Sequence, residues 1–345
     1  MHSFEQLMTP IWDTEIVYDE SLTMVESNGK SEAPLLFTPQ EIISVTSADK
    51  TMEYCEGKDW MVQDNIFRLT PGSRIFRFQE EDMIFEQERP GKCFATKDGR
   101  YSLFSEGHFF HDRQISITYK KAKEDFGFRP AFCGDSLPRS IGKLRNKEGI
   151  KIVLYGDSIS AGANSSGMTL TTPFLPTWGS LVAEKLRRHY GTEVGFINTA
   201  VGGMDSRWGM DNAKELVGNY TPDLAIIAFG MNDRIPGEKF AENIKTIRDT
   251  ITQASPETEF ILCATTVPNK ILEGFYAYQS DYREALETLK QPGTAIADFY
   301  GMQKQLLGKK RFIDLTGNNV NHPNDFMIRC HAQLLSEMLI DRNDL

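Results

Sequence analysis

Four short polar segments in the second half of the chain carry groups whose combination does chemistry. Gly156-Asp157-Ser158-Ile159-Ser160-Ala161-Gly162 offers a hydroxyl, and Asn198-Thr199-Ala200-Val201-Gly202-Gly203 offers an unobstructed backbone N–H. Gly230-Met231-Asn232-Asp233 offers a carboxamide, and Asn319-Val320-Asn321-His322-Pro323 an imidazole. A nucleophile, donors for an oxyanion and a general base are what acyl transfer requires. Ser158 is then the nucleophile and His322 its base. The N–H group of Ser158, that of Gly203 or its neighbour Gly202, and the Asn232 side chain are then the candidate oxyanion donors. Each segment alone has a plainer reading: Gly-Asp-Ser also makes a turn or helix N-cap, and a buried Asn pins a loop. The argument therefore rests on their order and on the elements that carry them.

Those elements follow from the hydrophobic pattern. From residue 151 onward, apolar runs alternate with amphipathic stretches. Strands are expected at 151–155, 194–199, 224–229, 260–264 and 294–299. Helices are expected at 178–190, near 210–218, and at 238–254, 279–290 and 326–341. Five strands alternating with helices predict an α/β fold with a parallel, doubly wound sheet. Such sheets gather their sites at the carboxyl ends of the strands, where three of the four segments fall. The first 145 residues read differently. Turn signals recur at Ser27-Asn28-Gly29, Glu56-Gly57-Lys58-Asp59, Thr70-Pro71-Gly72-Ser73, Arg89-Pro90-Gly91 and Asp98-Gly99, with short apolar or alternating segments between. That pattern predicts an antiparallel, jelly-roll-like β-sandwich over 1–145, with Asp98-Gly99 as a hairpin turn, ahead of an α/β domain over 148–345.

The four ordered blocks resemble the SGNH (GDSL) hydrolases, a family named for its Ser, Gly, Asn and His. The resemblance covers about residues 148–345. It implies a flavodoxin-like three-layer sandwich around a five-stranded parallel sheet, and ester hydrolysis without a cofactor. The two-part layout resembles bacterial carbohydrate acetyl esterases, which implies a small-molecule or oligosaccharide ester as substrate. A lysophospholipase or thioesterase is the alternative hydrolase. A carbohydrate-binding protein with a decayed hydrolase domain is the alternative outside catalysis. One block departs from the family: its last usually reads Asp-x-x-His, and here Asn319 stands in the acidic position. Asn319, a backbone carbonyl or Asp325 is then left to orient His322, as a Ser-His dyad or an Asn-assisted triad. Gly134-Asp135-Ser136-Leu137 spells the family motif more literally, yet precedes the first α/β strand and reads as linker.

Other residues divide between site and scaffold. Trp178, Trp208 and Phe174 fall near the predicted mouth, as an acyl or sugar platform or as core. Arg207 and Arg234 flank two motif loops, as substrate contacts or solvated charges. His331 is expected to face away from the first strand. His108 and His111 would point to opposite faces of a strand and lack a third metal ligand. The net charge of -10 argues against nucleic acid as a partner and gives no help toward an anionic membrane. Five scattered cysteines without a Cys-x-x-Cys pair predict no zinc knuckle or disulfide framework. A first segment without a basic-then-apolar pattern predicts a cytoplasmic protein, unless a leader has been trimmed.

Overall fold

The computed structural model of the protein describes residues 2–342. The last three residues of the expected 148–345 segment lie outside that range.

The α/β half is built on five parallel strands: β4 (Ile150–Gly156), β5 (Val194–Asn198), β6 (Leu224–Ala228), β7 (Glu259–Ala264) and β8 (Thr294–Asp298). Their order in the sheet is β5-β4-β6-β7-β8. This is the 2-1-3-4-5 order of flavodoxin-like folds, with the switch point beside β4. Parallel strands covered on both faces need continuous apolar side chains. β6 reads Leu-Ala-Ile-Ile-Ala and is buried throughout, as is β7. Each fully buried Val, Leu or Ile contributes about 1.5–3 kcal/mol through the water-exposed surface it removes.

Helices cover both faces: α1 (Pro138–Asn146), α2 (Ser158–Ala161), α3 (Trp178–Tyr190), α4 (Ser206–Leu216), α5 (Gly237–Ala254), α6 (Tyr282–Glu287), α7 (Phe299–Leu307) and α8 (Asp325–Leu339). α3 matches its expected bounds, capped by Thr177 and stopped by Gly191 at φ +61. The expected 279–290 helix is a 3-10 turn leading into the short α6. α1 and α7 were not anticipated. Pro138 stands at the start of α1, where its missing N–H removes no intrahelical bond. α7 begins on the Asp298 side chain, which accepts from the Gly301 N–H at 2.7 Å.

The N-terminal region is rich in sheet. β1 (Ile16–Thr23) and β2 (Pro39–Ser47) flank β3 (Gln114–Lys121) in an antiparallel sheet. Strands Cys93–Ala95 and Tyr101–Leu103 pair across the Asp98-Gly99 turn, with Gly99 at φ +85. Five more short strands form a mixed sheet.

The two halves share one continuous core, which runs from Val17, Leu22, Ile117 and Tyr119 to Ile152, Trp178, Phe299 and Leu335. α8 lies at its centre and is buried on nearly every side, as a helix packed between layers must be. Polar contacts cross the same seam. Glu20 on β1 pairs with Lys310, both fully buried, and accepts from the Tyr119 hydroxyl at 2.6 Å. The Arg329 guanidinium on α8 donates to the carbonyls of Tyr18 and Asp19.

Candidate active site

The chain leaves β4 through Gly156, where a Cβ would stand 2.3 Å from the Ala228 carbonyl oxygen on the neighbouring strand. Only glycine passes this bend. Asp157 then caps α2, its Oδ1 accepting from the Ile159 N–H at 3.0 Å, and Ser158 opens the helix at the carboxyl end of the sheet. Two further bonds fix α2 from outside. Asn198 at the end of β5 donates to the Ser160 carbonyl at 2.8 Å, and the Trp178 indole donates to the Ile159 carbonyl at 2.9 Å.

His322 Nε2 stands 2.9 Å from Ser158 Oγ, although 164 residues separate them. The imidazole is held by a tightly wired loop. Asn318 Oδ1 accepts from the N–H groups of Val320, Asn321 and His322 at 2.9–3.1 Å. The His322 carbonyl accepts from Gly317 N–H and the Thr316 hydroxyl, both at 2.9 Å.

The other ring nitrogen has partners that the sequence reading missed. His322 Nδ1 lies 2.7 Å from Asn164 Oδ1 and 3.2 Å from Glu106 Oε2. Asn164 sits at φ +63, a conformation Asn tolerates. Its amide nitrogen donates to the carbonyls of Gly107 and Gly317, so its oxygen is the atom left to face the ring. Glu106 comes from the N-terminal region, and its other oxygen accepts from Asn318 Nδ2 at 3.1 Å. Partial burial alone would raise the Glu106 pKa. The hydrogen bond and charge of His322, with the Asn318 and Asn164 amides, outweigh this and hold the carboxyl below the usual Glu range.

Asn319 does not touch the ring. At φ +64 its side chain turns away, donating to Ser102 Oγ and the Leu103 carbonyl and accepting from Asn269. Its position thus ties the His322 loop to the Tyr101–Leu103 strand, and the expectation that it orients His322 is corrected. Asp325 is also committed elsewhere, accepting from the Ser166 N–H at 2.9 Å.

The donors expected at the oxyanion lie on the two flanking loops. Gly203 is exposed at φ +79, and a Cβ at Gly202 would lie 3.8 Å from Ser158 Cβ, so this loop passes beside the nucleophile. Asn232 donates one amide hydrogen to the Met204 carbonyl at 3.0 Å, which leaves its second. Asp233 steadies the same junction by accepting from the Ser206 N–H and hydroxyl. Burial pushes Asp233 up to about 6.

Trp178 is corrected from the substrate-contacting set to the core: it is fully buried beneath α2, edge-on to Phe299. Trp208 is half-buried against Tyr155, and Arg234 is exposed on the loop after β6. His331 lies beneath α2. It stacks on Phe299 and lines a small void with Asp157, Ile159 and Trp178. Burial pushes Asp157 up to about 7 and His331 down to about 3. His108 and His111 are not on a strand. His108 pairs with Asp112, and His111 reaches the Thr172 carbonyl at 2.7 Å. Ser136 precedes α1, and its carbonyl accepts from Gly293 N–H at the amino end of β8, the opposite edge of the sheet from Ser158.

A sequence model of the GDSL-like lipase/acylhydrolase family matches residues 154–326, half of the chain. The chain belongs to this family of ester-bond hydrolases. In the GDSL-family chain the matched segment takes in Ser158, Gly203, Asn232 and His322 and leaves Ser136 outside. An arylesterase of Vibrio mimicus is 33% identical over 87 residues, 25% of this chain and 40% of that protein. The match therefore spans less than half of the relative. Among solved structures, a two-domain esterase (CEX) active on acetylated mannans is similar at 21% identity and TM-score 0.49, covering 61% of this chain and 53% of that one. A catalytic mutant of Axe2, an acetylxylan esterase from Geobacillus stearothermophilus, is similar at 14% identity and TM-score 0.47, covering 56% and 95%. Likenesses at that level assign neither fold nor substrate to the GDSL-family chain.

Proposed function

We propose that the protein is a serine esterase that hydrolyses short acyl esters, acetyl above all, on a hydroxylated alcohol such as a carbohydrate. His322 Nε2 takes the proton of Ser158 Oγ as that oxygen attacks the ester carbonyl. The N–H groups of Ser158 and Gly203 and the free amide hydrogen of Asn232 receive the oxyanion. His322 returns the proton to the departing alcohol. Water, activated by the same nitrogen, then releases the acid from Ser158.

The observation that carries this reading is the 2.9 Å contact between His322 Nε2 and Ser158 Oγ, within the reach a general base needs. An intact pair of this kind speaks against a decayed domain. The surroundings favour a polar alcohol: Glu106, Asn164, Asn318 and Asn321 all bond with one another or with His322 around the imidazole. Among the described residues, no helix is long and apolar enough to cross a membrane.

Acetate release from acetylated xylo-oligosaccharides, compared with fatty-acid release from long-chain acyl esters, tests the substrate class. The acetylated sugar is expected to be turned over and the long chain to be poor, with Ser158→Ala inactive on both. Preference for the long chain would move the assignment to the lysophospholipase or thioesterase class. Equal rates for wild type and Ser158→Ala would overturn the catalytic reading.

A further inference from the structure

We propose that Glu106 of the N-terminal β region is the carboxylate that positions His322 and stabilises its cationic form, while Asn164 fixes the tautomer of the ring. The inference rests on the reading of Ser158 as nucleophile and His322 as base.

A catalytic imidazole has two requirements at the nitrogen remote from the nucleophile. An acceptor must hold the N–H there, so that Nε2 is the basic nitrogen. A negative charge nearby must favour the cation that forms when the serine proton arrives. In this chain the two requirements fall on different residues. Asn164 meets the first: its amide nitrogen is engaged by the carbonyls of Gly107 and Gly317, so its oxygen accepts from Nδ1 at 2.7 Å. An amide cannot meet the second. Glu106 Oε2, 3.2 Å from the same nitrogen, is the carboxylate in contact with the ring.

The placement of Glu106 is built. The neighbouring carbonyl of Gly107 is tied to Asn164 at 2.8 Å, and Glu106 Oε1 is tied to Asn318, the residue whose side-chain oxygen organises the His322 loop. Upstream, Ser102 and Leu103 hold Asn319. One strand-and-turn of the β region therefore grips the His322 loop at two adjacent asparagines and sets a carboxylate against its imidazole. The acid missing three residues before His322 is supplied from a different part of the chain, some 216 positions earlier. Asp157, buried behind Ser158, also feels the His322 charge.

Glu106→Gln keeps an oxygen for Asn318 and removes the charge, so it separates positioning by charge from a structural role. With p-nitrophenyl acetate, the variant is expected to lose about ten- to thirty-fold in kcat with KM little changed. That is the scale of one charge-assisted hydrogen bond at a half-exposed site. The acid limb of its kcat/KM profile should move to lower pH, because removing the anion makes protonation of the base less favourable. Glu106→Asp should recover part of kcat and move the limb back. If Glu106→Gln matches wild type in kcat and pH profile while Ser158→Ala is inactive, the inference falls and the esterase reading stands. If wild type shows no Ser158-dependent hydrolysis, both fall.

Discussion

At the scale of single residues, the site depends on small groups with few spare bonds. Asn232 has one amide hydrogen committed to Met204 and one available. Asn232→Ala is expected to lower kcat by about 10²–10³ with KM nearly unchanged, the cost of one oxyanion donor. Steady-state kinetics on an activated acetyl ester would show it; an unchanged kcat would remove Asn232 from the hole. His331 makes a prediction about stability. Both its ring nitrogens are buried without a hydrogen-bond partner, and burial holds it down to about 3. The unfolded chain takes up that proton near pH 6.5 and the folded chain only near 3. As pH falls through this window the unfolded state binds the extra proton and stability drops, by about 2 kcal/mol at pH 5. Asp157 has the opposite sign: raised to about 7 by burial, it makes stability fall as pH rises from the usual Asp range toward 7. His331→Phe keeps the stack on Phe299 and removes the titration. Its melting temperature should therefore fall less between pH 7.5 and pH 5 than that of wild type. An identical decrease would show that His331 is not the source.

Legibility in the sequence also divides at this scale. Ser158 and His322 were readable because each lies in a short segment next to a recognisable element. Asn164 and Glu106 were not, because what makes them partners of His322 is the folded path of loops 158 and 216 residues away. Asn319 misled for a related reason. A position three before the histidine suggests contact, but the chain enters φ +64 there and carries the side chain to the opposite side of the loop. A signal did exist for Asn318, since Thr316-Gly317-Asn318-Asn319 has the composition of a side-chain-stabilised turn.

At the scale of elements, the parallel sheet was the most legible feature. Its strands are continuous apolar runs between amphipathic stretches, and they differ from expectation only at their ends. α7 was hidden because Phe299 reads as the tail of a strand and Gly301 weakens the helical pattern, while the decisive Asp298 cap acts through one bond. The His322 loop, which has no regular structure, is the element whose integrity matters most to the site. Asn318→Ala removes the acceptor of three backbone N–H groups, and it is expected to cut activity at least 100-fold and to destabilise the fold by about 2–4 kcal/mol. Denaturant unfolding and kinetics on the same sample would measure both. Wild-type activity in that variant would mean that the loop is held by its other contacts. Lys310→Met, which strands the fully buried Glu20 without its cation, should cost about 3–5 kcal/mol, because an uncompensated buried charge is expensive. A loss under 1 kcal/mol would show that Tyr119 and the Leu36 N–H suffice for Glu20.

At the scale of the whole molecule, a change in sequence grammar near residue 145 suggested two units, while the structure joins them through one core. α8 contacts both the N-terminal sheet and the α/β sheet, so one face of the α/β sheet closes against the N-terminal half, while its other face closes on a cluster of its own. The sequence hid this, since an apolar helix face does not state which neighbour it serves. Calorimetry of the full chain is accordingly expected to give one cooperative transition, and residues 130–345 expressed alone are expected to be unfolded or aggregated. Two separated transitions would contradict a shared core. The same union makes the β region part of the site through Glu106. The central claim, that Ser158 is the nucleophile brought to His322 by this fold, is tested most directly by labelling the native protein with a fluorophosphonate and mapping the modified peptide. A single adduct on Ser158, lost in His322→Ala, is the predicted result. An adduct on Ser136, or none on an active preparation, would contradict it.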